Sequence, residues 1–305
     1  MSKKIIFMGT PDYATTILKK LVELKYEVVA LFTQEDKKVG RKQIIAAPHI
    51  KQYIIDENIN IPVFQPKTLR EPGIKEIITA LNADLIIVAA YGQILPQNIL
   101  DIAPCINLHA SLLPAYRGAS PIQQCLLNKD EYTGITAMNM EAGLDSGDIL
   151  ALKYLKIEDF MDVEYLFNNL ATLAATLTVD VIENYENIKP IKQNDSKVSH
   201  CGKVTKDDGM VCLDDASDII AKYKAYRFWP GIYLQSGFKL KEISLNETTS
   251  LNNEGEILAI NKTDIILGCK KGSLVISRVQ QPSKKEVSVN DYIRGSHLQV
   301  GDVIL

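Results

Sequence analysis

A chain of 305 residues is about twice the usual single-domain length, so one large domain and one smaller one are expected. Hydrophobic content of 46% and charged content of 23% exclude a disordered or low-complexity chain. A net charge of -3 excludes a surface that grips a polyanion everywhere; residues 191–305 carry 16 Lys+Arg against 14 Asp+Glu and the rest 18 against 23, which allows a mildly basic C-terminal part.

The segment KIIFM at 4–8 predicts a short buried strand, and GTPDYATTILKKLVEL a helix, with Thr10 as cap and Pro11 at the first helical position. EVVALFT then returns as a second apolar run, the opening of a right-handed parallel unit. QEDKKVGRKQIIAA, between 34 and 47, is polar and expected to be a mobile loop; Pro48 restarts a helix. Strands at 84–90 and 104–108 alternate with helical stretches at 71–81 and 118–127, which implies a doubly wound α/β sheet. GITAMNMEA and GDILALKYLKI read as two extended runs around GLDSG, and an amphipathic helix over 162–184 closes the domain. A polar, aperiodic linker is expected at 190–204, between a domain at 1–189 and one at 205–305. Beyond it, helical ASDIIAKYKAY precedes short β-like runs with Gly, Asn and Asp turns, the pattern of a small barrel. The single tryptophan, in YRFWP ahead of the first barrel strand, could stack on a nucleotide but fits a core better.

The longest uninterrupted apolar run, LIIVAAYG at 85–92, falls short of the roughly 20 residues of a membrane span. MSKKIIFMG leads from basic residues straight into a strand and not into a signal peptide, so a cytoplasmic protein without membrane association is expected. Five cysteines, odd in number and without C-x-x-C, point to reduced, packed thiols, Cys105 among them.

Chemistry concentrates in INLHASLLPAYRGASP at 106–121. If 104–108 is a strand, Asn107 and His109 leave it on one face near its C-terminal end, where open α/β sheets hold ligands. An amide and an imidazole converging there could stabilise an oxyanion; equally, Asn107 could cap a turn and His109 satisfy a buried backbone group. Asp145, between Gly143 and Gly147, is either a turn residue or a carboxylate that fixes a histidine tautomer, and nothing in the spacing places it beside His109. The G-T-P-D turn after the first strand is not G-x-G-x-x-G, so dinucleotide binding is discounted.

Taken together, IIFMGTPDYA at 5–14, LFTQEDKKVGRK at 31–42, FQPKTLR at 64–70, ADLIIVAAYGQILP at 83–96, INLHASLLPAYRGASPIQ at 106–123 and TGITAMNMEAGLDSGDIL at 133–150 resemble one family. It is the folate-dependent formyltransferases, and within them those whose acceptor is initiator methionyl-tRNA. KVTKDDG at 203–209 and YKAYRFWPGIYL at 223–234 extend a fainter similarity through the rest of the chain. The resemblance implies a Rossmann-like catalytic domain followed by an oligonucleotide-binding-like (OB-like) barrel that binds tRNA. It implies a catalytic triad of Asn107, His109 and Asp145, with no metal. It implies 10-formyltetrahydrofolate as co-substrate, contacted by Ser111, Leu112, Leu113 and Pro114 and by Tyr91, Gly92, Leu95 and Gly143. Arg41, Lys42, Lys203 and Lys206 would meet the tRNA, with Lys270, Lys271, Lys284 and Lys285 as further phosphate contacts. A monomer is expected. The same triad would equally serve a sugar-nucleotide N-formyltransferase or a 10-formyltetrahydrofolate hydrolase.

Overall fold

The apolar runs of the N-terminal half form the inner strands of a seven-stranded sheet in a computed structural model, which describes residues 3–40 and 43–304. In chain order the elements are β1 (Lys4–Gly9), α1 (Asp12–Glu23), β2 (Glu27–Phe32), β3 (Lys37–Val39), β4 (Ile44–Ala46), α2 (His49–Asp56), β5 (Val63–Phe64), α3 (Ile74–Ala80), β6 (Leu85–Ala89), α4 (Gln97–Leu100), β7 (Cys105–His109), β8 (Arg117–Gly118), α5 (Pro121–Leu127), β9 (Tyr132–Asn139), β10 (Ile149–Lys156), α6 (Val163–Asn184) and β11 (His200–Cys201). The sheet order is β10-β9-β7-β6-β1-β2-β5. The five strands from β7 to β5 are parallel, and β9 and β10 add an antiparallel edge. From β1 the chain winds outward to β2 and β5, then returns to β6 on the other side, so the winding reverses between β1 and β6.

Ile5, Ile6, Phe7 and Met8 of β1 and Ile86 and Ile87 of β6 are fully buried, as central parallel strands covered on both faces must be. Each such side chain contributes about 1.5–3 kcal/mol of burial. In α6, Leu166, Leu170, Ala174, Leu177 and Val181 recur at three- and four-residue spacing and are all buried. Among the described residues α6 is the one helix long and apolar enough to cross a membrane, but half of its most apolar stretch is buried inside the fold.

Three local expectations are revised. Helix α1 begins at Asp12 with Pro11 before it, and Thr10 does not cap it: its hydroxyl donates to the Tyr91 carbonyl at 3.0 Å. The segment read as a mobile loop contains an antiparallel hairpin, β3 on β4, with Lys37 opposite Ala46. Arg41 and Lys42 lie outside the described residues. The stretch 190–204 is no free linker: Ile191 bridges to Ile149, and β11 pairs with β8.

The described residues divide into two units. The first holds the residues up to Pro121, Tyr132–Ile157 and Glu164–Gly202; the second holds Ile122–Glu131, Glu158–Val163 and the residues from Lys203 onward. The second unit contains α7 (Ala216–Tyr226), β12 (Ile232–Tyr233), β13 (Lys239–Glu247), β14 (Ile257–Ile260), β15 (Ile265–Gly268), β16 (Ser273–Gln280), β17 (Val287–Ser288) and α8 (Val289–Ser296). Its sheet runs β12-β13-β16-β15-β14, with β17 also on β16, and every pairing is antiparallel. The inward residues, among them Ile219, Leu240, Ile257, Leu267, Leu274 and Ile293, form one core. Asp215 caps α7 through the Ser217 amide, and Ser288 caps α8 through the Asp291 amide, each satisfying a helix-end donor.

Candidate active site

Strand β7 delivers Asn107 and His109 to its C-terminal end, beside β6 and next to the switch in winding. Its other neighbour, β9, runs antiparallel, so the Glu141–Gly147 loop leaves at the level of Ile106 and re-enters the sheet where Ile149 of β10 faces Met138. Asp145 in that loop, 36 positions from His109 in the sequence, comes to rest beside both residues. Its Oδ1 lies 3.4 Å from Asn107 Nδ2, and its Oδ2 lies 3.7 Å from His109 Nδ1. The two side chains are only 7% and 12% exposed, so little solvent lies around their contact.

His109 Nε2 sits 2.9 Å from the Tyr116 carbonyl. A carbonyl only accepts, so Nε2 carries the hydrogen and Nδ1 is the nitrogen facing the carboxylate. The bland reading of His109, a buried backbone carbonyl satisfied, is therefore half of what it does; its other nitrogen points at Asp145. Asp145 takes a left-handed backbone with φ +48°, costly for a residue with a Cβ, and the Gly118 amide donates to its Oδ2 at 2.8 Å. Gly118 in turn has φ +126°, and a methyl group there would overlap the Cys201 carbonyl of β11.

The Ser-Leu-Leu-Pro turn is tied to the same frame. Thr136 Oγ1 donates to the Ser111 carbonyl at 2.7 Å and accepts from the Leu113 amide at 3.0 Å, while Ser111 Oγ donates to the Ala115 carbonyl. Ser111 and Leu113 are buried, whereas Leu112 and Pro114 are partly exposed. After β6, the Tyr91 carbonyl accepts from Thr10 Oγ1 and from Gln34 Nε2, which joins the loops that follow β1, β2 and β6. The Tyr91 and Leu95 side chains pack into the core with Met8, Phe32 and Val88, so only Gly92 of the three expected there is exposed. The Tyr91 hydroxyl and Thr33 Oγ1 are buried without a partner. Gly143 is exposed, next to Leu144 at 63% exposure. A recess of about 740 Å³ opens at the opposite ends of the strands, lined by Lys4, Glu27, Asp84, Leu85 and Pro104; none of the expected site residues lines it.

Cys105 is no nucleophile: burial pushes its thiol up to about 12, and Sγ donates to the Ala103 carbonyl. No cluster of three metal-ligating side chains occurs among the described residues.

The expected tRNA contacts separate into two kinds. Lys203 and Lys206 are exposed. Lys270 and Lys271 instead pair with Asp214 at 2.6 Å and Asp215 at 2.9 Å, which raises both ammonium groups above their usual range and neutralises them locally. Lys284 donates to Gln281 Oε1. Trp229, expected in a core, is instead 58% exposed.

Sequence reasoning gave no role to Gly118, to Arg117 or to Gln193. Gln193 Nε2 donates to the Asp145 and Gly147 carbonyls, and its Oε1 accepts from Arg117. The tight R-G pair was visible in the sequence, but Gln193 carries no pattern that would distinguish it from the polar residues around it.

Residues 3–182 match the formyl transferase family and residues 203–297 its C-terminal domain, and the chain belongs to the formyl transferase family. A methionyl-tRNA formyltransferase of a Nitratiruptor species is 53% identical over 299 residues, covering 98% of this chain and 99% of its own. That of Helicobacter pylori (strain J99) is 46% identical over 304 residues, covering 99% of each. Among solved structures, the N-formyltransferase from Helicobacter canadensis in complex with folinic acid and dTDP-3-aminofucose superposes with a TM-score of 0.68 at 16% identity, over 90% of this chain and 99% of that one. HypX from Aquifex aeolicus in complex with tetrahydrofolic acid gives 0.66 at 16% identity over 100% of this chain; the chain spans about half of HypX, 49%. At such identities these two likenesses speak for the fold alone.

Proposed function

We propose that this chain transfers the formyl group of 10-formyltetrahydrofolate to the α-amine of initiator methionyl-tRNA, yielding N-formylmethionyl-tRNA for translation initiation. The observation that carries the reading is the meeting of Asn107, His109 and Asp145 at the C-terminal edge of the sheet. Near-full-length identity of about half to methionyl-tRNA formyltransferases favours that acceptor over an amino sugar.

The chemistry follows from the partners of each side chain. Attack of an uncharged amine on the formyl carbon builds negative charge on the formyl oxygen. Asn107 Nδ2 holds Asp145 only loosely, at 3.4 Å, so the amide can turn a hydrogen toward that oxygen. His109 has Nε2 pinned to the Tyr116 carbonyl, which leaves Nδ1 as the working nitrogen. At 3.7 Å the Asp145 carboxylate lies beyond direct hydrogen-bond reach of Nδ1, so Nδ1 can serve a third group without breaking such a bond. Asp145 stabilises the proton on Nδ1 while His109 helps pass it from the attacking amine to the departing folate nitrogen. For the reduced folate, Ile94 and Leu144, 79% and 63% exposed, offer apolar surface on the loops after β6 and β9. In this reading Ser111, Leu112, Leu113, Pro114, Tyr91, Gly92, Leu95 and Gly143 contact the folate as well. Arg41, Lys42, Lys203 and Lys206 supply cations for the acceptor end of the tRNA. The enzyme works as a cytoplasmic monomer, without metal and without membrane attachment.

A formyl-transfer assay with 10-formyltetrahydrofolate tests the reading by offering charged initiator tRNA, free methionine, amino sugars and water in parallel. Transfer to methionyl-tRNA is expected. Transfer to water alone, preference for an amino sugar, or no turnover would overturn it.

A further inference from the structure

We infer that Gln193 is a positioning residue for Asp145, holding the carboxylate at the place where it faces both Asn107 and His109. The inference deepens the proposed function and rests on it for its kinetic consequence. Gln193 lies in the polar stretch before β11, far from the triad in sequence, yet its amide makes four contacts in the frame of the Asp145 loop. Nε2 donates to the Asp145 carbonyl at 2.9 Å and to the Gly147 carbonyl at 2.7 Å. Oε1 accepts from Arg117 Nε at 3.0 Å and Nη2 at 2.8 Å. The orientation is unambiguous, because carbonyls only accept and guanidinium only donates.

Arg117 is 9% exposed, and the residue after it, Gly118, donates its amide to Asp145 Oδ2. Asp145 is thus gripped twice from β8: on its carboxylate by the Gly118 amide, and on its backbone by Arg117 acting through Gln193. A residue held at φ +48° with a Cβ needs such over-determination to stay there. Gly147, the second carbonyl in the bracket, has no room for a side chain, since a methyl group would overlap the Asn139 carbonyl. The loop is therefore clamped at both Asp145 and Gly147, and the working carboxylate sits on the clamped span. Arg117 also approaches Asp195 Oδ1 at 3.9 Å, but Asp195 is almost fully exposed and sets no geometry.

The test uses the full chain. Gln193→Glu keeps an acceptor for Arg117 but turns a second oxygen toward two carbonyls; Gln193→Leu removes both halves of the bracket. Two readouts are needed, one of them independent of turnover. The first is the Gly118 amide proton by NMR with ¹⁵N-glycine, whose downfield position reports its charge-assisted bond to Asp145; Asp145→Asn serves as reference. The second is formyl-transfer kinetics. Both Gln193 variants should move the Gly118 resonance toward its Asp145→Asn position and lower kcat roughly 10- to 100-fold, with KM for either substrate changed by no more than about threefold. An unmoved Gly118 resonance, wild-type kcat in Gln193→Glu, or an effect confined to KM would overturn the role. A wild-type chain with no transferase activity would sink the proposed function, and the Gly118 resonance would still decide what Gln193 does.

Discussion

Gly118→Ala is the substitution for which the structure supplies the most complete account. The residue has φ +126°, a conformation open to glycine and costly by about 1–3 kcal/mol for anything with a Cβ. The new methyl group would lie on the Cys201 carbonyl, far inside the roughly 3.3 Å at which carbon and carbonyl oxygen ordinarily meet. Relief requires β11 to part from β8, which breaks the Arg117 amide bond to the Ser199 carbonyl at 2.9 Å and the Ala119 amide bond to the Cys201 carbonyl at 3.1 Å. At about 0.5–1.5 kcal/mol each these add about 1–3 kcal/mol. Because the strain falls on a two-residue bridge, it is released by local detachment more readily than by global unfolding. Hydrogen exchange at the Arg117 and Ala119 amides should therefore accelerate sharply while the thermal midpoint falls by only a few degrees. Moving the Gly118 amide off Asp145 removes a charge-assisted bond worth about 1.5–3 kcal/mol, so kcat should drop roughly 10- to 150-fold. Wild-type kcat together with wild-type exchange at Ala119 would refute the reasoning.

Other outcomes can be checked more simply. Asn107→Ala and His109→Ala should each lower kcat by about 10²–10³ while leaving tRNA affinity, measured by filter binding, near wild type. Replacing Lys203 and Lys206 by Ala should weaken tRNA binding and flatten its dependence on salt by about one unit of log–log slope per lost phosphate contact, whereas Lys270→Ala, whose charge is already paired with Asp214, should change that slope little. Of the five cysteines only Cys212 is exposed, so titration of the native protein with a thiol reagent should show one fast thiol, lost in Cys212→Ser; the Cys105 and Cys269 thiols, both pushed up to about 12 by burial, should react only after unfolding.

Much of this arrangement was legible because it is local. The buried runs of β1 and β6 announce central strands, and ASDIIAKYKAY coincides with α7 from Ala216 to Tyr226. The two-residue step from Asn107 to His109 at a strand end suffices to put both on one face of β7. What lay beyond reach depended on topology or on single hydrogen bonds. The approach of Asp145 to His109 is produced by the antiparallel return of β9 and β10, which no spacing encodes. The β3–β4 hairpin has strands of three residues, too short for an alternating pattern to show through a charged segment. The stretch 190–204 looked like a linker because its attachments are made largely by backbone groups and by polar side chains such as Gln193 and Ser199, which leave no hydrophobic trace.

The pairing of β11 with β8 also bears on where the chain can be cut. A fragment ended at residue 189, where composition alone would place the border, retains Asn107, His109 and Asp145 but loses Gln193, the Ser199 hydroxyl that the Tyr116 amide bonds and the strand that lies against Gly118. Such a piece would keep the three side chains and the Gly118 amide bond but lose the part of the brace that lies beyond residue 189. A fragment meant to keep these three side chains in place should therefore run at least to Gly202, where the last segment of the first unit ends, because the final dozen residues act as a splint.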